Sequence, residues 1–239
     1  MKKYLLLIAA VFSFTTAFSQ SHFYLNFGYN LGYAKLDALH TYGVDRYNET
    51  RTWLTEPMGS FHFPNGFCAS LGGSKNKLMY DITWVGRHMT RSASGTQPNG
   101  IEGGRELKWR MNTINFGFGV ALGQSRMARL NIGISIDMGN EKVFTRTGEN
   151  GVFNPEEFRE VQKDIVVGST IFMQIILSTE NLPAGLFIRP YIQLPYFKTN
   201  YLDTHDELDK TNTIDYEAAK STSWNVGVQM QIGLFKRSD

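Results

Sequence analysis

Cysteine is almost missing from this chain. Cys68 stands alone, so no internal disulfide can hold the fold, even in a compartment that would permit one. Long apolar runs are missing too. Beyond the first residues, no stretch approaches the roughly 18 consecutive apolar residues that a spanning helix needs. The sequence holds no Walker-type glycine-rich loop, no Cys-x-x-Cys pair and no nucleic-acid-binding signature. Nucleotide-driven chemistry and nucleic-acid partners are therefore set aside, and no cofactor is expected. Net charge is small as well. The formal +2 is supplied by Lys2 and Lys3, at the extreme N-terminus.

Those two lysines open a segment with the form of a secretory signal. Tyr4 to Phe14 are mostly apolar, and Ala17 and Ser19 are small residues spaced like a cleavage site. Residues 1–19 are expected to be removed, leaving residues 20–239 as one all-β domain. A retained anchor is the competing reading.

What the chain does have is a two-residue rhythm. Phe23, Leu25, Phe27, Tyr29, Leu31 and Tyr33 alternate with small or polar residues such as Asn26, Gly28, Asn30 and Gly32. Period two marks a strand with one apolar face. The pattern predicts eight strands, near 22–35, 61–72, 78–91, 107–122, 129–139, 165–178, 186–197 and 223–235. The apolar rows are clearest at Leu78, Tyr80, Ile82 and Trp84, at Ile114 to Val120, at Leu130 to Met138 and at Trp224 to Leu234. Ile171, Met173, Ile175 and Leu177 are placed on the same side. Pro64 suggests a kink before the second strand. Pro190 and Pro195 each remove a ladder donor from the seventh, which requires a bulge or a gap.

Short and long connections alternate strictly. Leu36–Ser60, Ser92–Glu106, Asn140–Asp164 and Lys198–Thr222 are long and net acidic. Some forty bulky apolar side chains are too many for the interior of eight strands. The opposite faces carry Asn, Gly, Ser and Gln, which suit a tight hydrogen-bonded lumen. The apolar face is therefore expected outside, towards lipid. The aromatics Tyr33, Trp84, Trp109, Tyr196 and Trp224 are assigned to one interfacial girdle, and Phe23, Tyr80 and Phe235 to the other.

In this architecture the chain resembles the small outer-membrane β-barrels of diderm bacteria, the OmpA/OmpX-type barrels. Its last strand, Asn225 to Ile232, is similar to their C-terminal assembly signal, although Lys236 to Asp239 trail the aromatic Phe235. The resemblance implies an all-β, antiparallel, eight-stranded up-and-down transmembrane β-barrel. It implies location in the cell outer membrane, contact with outer-membrane lipids and lipopolysaccharide, and handling by the barrel-assembly machinery. A monomer with a structural or surface-interaction role is expected. The alternatives are a lipid A-modifying enzyme at the outer rim, or a soluble periplasmic ligand-binding barrel.

Candidate sites follow from the register. Asp81, Arg87, Arg129, Asp137 and Arg189 project inward and are expected to form a polar plug rather than a conduction path. Lys35, Arg91, Lys108 and Arg110 lie where strands meet long loops. They either contact lipopolysaccharide phosphates or snorkel as ordinary interfacial residues. His40, His62, His88 and His205 are the histidines considered for catalysis. None sits in a His-x-Ser pair, so no catalytic residue is assigned. Asp203, His205, Asp206, Glu207 and Asp209 cluster in the last loop, where a solvated acidic segment is preferred over a metal site.

Overall fold

A computed structural model of the chain describes residues 22–75, 77–124, 128–149, 158–178, 184–210 and 213–236. The expected signal, residues 1–19, lies outside them.

The described residues form a closed barrel of eight antiparallel strands. In chain order these are β1 (His22–Ala34), β3 (Asn65–Lys75), β4 (Leu78–Thr96), β5 (Glu102–Gln124), β6 (Ala128–Glu149), β7 (Arg159–Ser178), β8 (Ala184–Pro195) and β11 (Asn225–Lys236). Each pairs with its neighbour in sequence, and β1 closes the ring on β11 with Leu25 opposite Leu234 and Leu31 opposite Val228. Three short strands stand outside the ring. β2 (Leu54–Glu56) edges β4, while β9 (Thr199–Asn200) pairs with β10 (Lys220–Ser221).

The outer face is apolar. Phe27, Ile82, Phe118, Ile134, Ile171 and Ile232 are among its exposed side chains. The row from Leu130 to Met138 runs about 27 Å along its strand at about 3.4 Å per residue. With the usual tilt near 40° that is about 20 Å of height, close to the apolar band of a membrane barrel. The inner face is polar, with Asn26, Asn131, Gln174 and Gln231 buried. A soluble ligand-binding barrel would show the reverse, so that alternative is overturned.

The prolines act as their chemistry requires. The β7–β8 ladder runs Phe172 opposite Tyr191 and resumes at Ile175 opposite Ile188. The interruption falls at Pro190, which has no N–H to donate. β3 begins only at Asn65, after Pro64.

Four strands are longer than expected. β4, β5, β6 and β7 continue past the apolar band, so 92–106 is mostly hairpin rather than loop. It closes through a turn in which Gly100 takes a positive φ of 82°. The other long connections also fold. Leu39–Asp45 forms a π-helical turn running into a short helix, Arg46–Glu49, and Leu202–Leu208 forms another helix. These pieces close over the barrel mouth around a second, apolar core. Leu36, Leu39, Val44, Tyr47 and Phe61 from the first connection meet Tyr201 and Leu208 from the last. All pack on Met89, Leu107, Trp109, Met111, Val143 and Val166 of the extended strands. Trp109 thus points inward and is fully buried. Its assignment to the outer girdle is corrected.

Candidate functional site

The structure offers three layers along the barrel axis: a polar lumen, a buried carboxylate at its upper end, and a cap above it.

In the lumen, Asp81 and Arg189 form an ion pair across the barrel, from β4 to β8. Arg189 also donates to Thr83 Oγ1 at 2.9 Å and lies 4.1 Å over the ring of Phe172. Asp137 has no arginine. It accepts from Ser135 at 2.6 Å, Thr170 at 2.5 Å and Gln193 at 2.9 Å. Three short donors leave Asp137 no need of a guanidinium. Arg87 donates to Tyr191 Oη at 3.3 Å, and Arg129 to Ser74 at 2.5 Å and Asn131 at 3.0 Å. All five residues are buried. Gly117 makes room for the pair, because a Cβ there would stand 2.1 Å from Asp81 Oδ1.

Glu141 marks the top of the lumen. It faces inward on β6, opposite Met111 of β5 and above the last outward apolar pair, Ile114 and Met138. Its outward neighbours on β5 and β6 are Asn112, Asn140, Arg110 and Lys142, with Ile165 and Lys163 across on β7, so it stands just above the apolar band. Trp109 Nε1 donates to it at 2.8 Å and Thr199 Oγ1 at 3.3 Å, and Tyr201 Oη donates as well. Tyr201 reaches Ser223 at 3.2 Å. Burial pushes the Glu141 carboxyl up to about 7, against these donors, and pushes the Tyr201 phenol well above its ordinary range. Glu141 thereby ties the last connection to the barrel wall. The sequence carries no signal for it, because residues 140–164 read as a loop.

The outer rim does not behave as one set. Lys35 pairs with Asp37 at 3.0 Å. Arg91 rises from the inward-facing row of β4, where Arg87 and Met89 are buried, and donates to the Ser60 carbonyl at 2.7 Å. Lys108 and Arg110 do converge. With His88 they line an outward groove of about 230 Å³ whose apolar side is Phe67 and Trp84. Its floor is Gly86, where a Cβ would stand 3.0 Å from the Trp84 indole.

The acidic loop reading changes. Asp209 and His205 are buried in the cap. Glu207 is held by Arg105 at 3.1 Å and Arg159 at 2.6 Å. Among the described residues, no three His, Cys, Asp or Glu side chains are placed to hold a metal. His40 stacks on His62 at 4.4 Å and accepts from the Phe61 amide at 2.9 Å, and burial lowers its pKa. Among the described residues, none of His40, His62, His88 or His205 holds a hydroxyl nucleophile.

No family model matches the chain, and no curated protein sequence does. Similar solved structures include Ail, the attachment invasion locus protein of Yersinia pestis, in complex with the heparin analogue sucrose octasulfate. It is 10% identical, covers 90% of this chain and 98% of its own, and has a TM-score of 0.40. Neisserial surface protein A is 8% identical, covers 89% and 96%, and has a TM-score of 0.40. The likeness is one of barrel architecture alone.

Proposed function

We propose that this chain is an outer-membrane β-barrel protein with a structural and surface-interaction role, closed to solute flow. The observation that carries the reading is the inversion of polarity: an apolar face outside and a hydrogen-bonded polar interior crossed from wall to wall. In this reading the short turns face the periplasm and the cap faces outward. The protein acts as a monomer, and β11 is the strand read by the assembly machinery.

Its partner at the rim is lipopolysaccharide. Lys108, Arg110 and His88 sit directly above Trp84 and Phe67, as an anionic headgroup on apolar chains requires. Cations beside a membrane surface attract its phosphates through charge-assisted hydrogen bonds. The absence of a histidine–hydroxyl pair among the described residues favours binding over lipid A chemistry.

Native mass spectrometry of barrel released gently from cells tests this. Wild type should carry lipopolysaccharide, and Lys108→Gln/Arg110→Gln should lose most of it while staying folded. Equal retention by the two would sink the rim assignment. Lipid A masses that change when the protein is deleted would favour the enzyme instead.

A further inference from the structure

The cap has a face that the rim does not use. Beyond the apolar core, all four long connections meet around one open cleft of about 580 Å³. That is the size of a small-molecule site. We propose that this cleft binds a short acidic saccharide, with Trp53 as the stacking platform and Arg51, Gln97 and Lys210 as its polar contacts.

The walls are fixed before any ligand arrives. The Arg51 guanidinium lies 4.0 Å over the Tyr47 ring and donates to the Leu208 carbonyl at 2.8 Å, joining the first connection to the last. Arg105 donates to both the carbonyl and the carboxylate of Glu207, at 3.0 and 3.1 Å, joining the second to the last. Such cross-ties reduce the entropy lost when a ligand is ordered.

The lining selects the chemistry. Trp53 is partly exposed in the wall. A half-exposed indole offers an apolar face with a polar edge, which suits the C–H face of a sugar ring. Around it stand an amide, hydroxyls and cationic donors, which match vicinal hydroxyls and an acidic substituent. The cleft lies past the apolar band, so a lipid tail has nothing to enter. No three metal-ligating side chains converge among the described residues. The cleft holds two carboxylates: Glu207 is neutralised by Arg105 and Arg159, and the buried Asp209 is offset by Arg51, so the exposed Lys210 amine leaves positive charge at the edge.

An acidic saccharide has two sources: the core region of the cell's own lipopolysaccharide, or a glycan from outside. Full-length barrel in detergent is titrated calorimetrically with core oligosaccharide released from the producing cells. A parallel array carries uronic-acid-, sialic-acid- and phosphate-bearing oligosaccharides. At least one arm should bind, and the binding arm names the source. Trp53→Ala and Lys210→Gln should each weaken that binding about tenfold, Trp53→Phe should keep most of it, and higher salt should reduce it. Lys108→Gln/Arg110→Gln should leave it unchanged, which separates the cleft from the lipid rim. The circular dichroism and heat stability of each variant confirm folding. No binding in either arm, or equal binding by wild type and folded Trp53→Ala, overturns the proposal.

Discussion

Replacing Glu141 with glutamine should remove a pH dependence from the seal between cap and barrel. The buried carboxyl is pushed up to about 7 from an ordinary value of 4.5. The folded state therefore holds a proton that the opened state would release. Stability from this group is fully present below about pH 4.5 and is lost as the pH rises through about 7. A displacement of about two and a half pH units, at about 1.4 kcal/mol each, is about 3–4 kcal/mol. That is large against a local opening of a few kcal/mol. The assay is amide hydrogen exchange over Thr199 to Leu208, corrected for intrinsic rates, from pH 4.5 to 8.5. Wild type should lose protection as the pH rises. Glu141→Gln keeps the shape and cannot ionise, so its profile should be flatter, and the difference should approach about 3–4 kcal/mol across that range. Tyr201→Phe removes a donor to the carboxylate and should move the wild-type midpoint upward. Parallel profiles for wild type and Glu141→Gln would refute the reasoning, because other carboxylates would then own the dependence.

Three further outcomes test the barrel. Ile134 is 52% exposed on the outer face, while Ser135 is buried and donates to Asp137. Ile134→Arg should cost about 2–4 kcal/mol in a bilayer unfolding titration, and a lipid-soluble quencher should reach a spin label at 134 before one at 135. Asp137→Ala orphans three donors at about 1–3 kcal/mol each, so it should destabilise by at least about 3 kcal/mol in the same titration. Asp203→Ala, at an exposed helix position, should be near neutral. Planar-bilayer recording of wild type should show no steady conductance, and stable open steps would defeat the plug.

The wall of this barrel was legible because alternation repeats on every strand and each row can be checked against its neighbours. Ile132 and Phe118, far apart in sequence, both fall outside. The cap was hidden by the same pattern. On β5 the apolar positions are Ile114, Phe116, Phe118 and Val120 in the band, but Leu107, Trp109 and Met111 above it. The phase shifts by one residue, because the outside changes from lipid to water and the inside from polar plug to apolar core. Sending every apolar residue to lipid puts Trp109 on the wrong face, whereas the two-residue register carried on from Ile114 turns it inward, as observed. The shift was present in the residues and needed a second environment to explain it. The buried placement of His205 and Asp209 left no comparable trace, since a charged helix of seven residues reads as solvated until its apolar neighbours are known.

The two seals rest on different physics and fail under different conditions. The lumen is held by contacts that cross it: Asp81 to Arg189 and Arg87 to Tyr191 join β4 to β8, strands on opposite sides of the ring. Their strength is electrostatic in a water-poor interior, so salt in the medium reaches them poorly. The cap is held by apolar burial and by the buried Glu141, whose protonation follows the pH. Opening the cap alone would expose Met111 and Trp109 while leaving the lumen contacts in place. Movement of the surface segments therefore does not by itself make a pore. It alters the outward face, the part of the protein that other molecules meet.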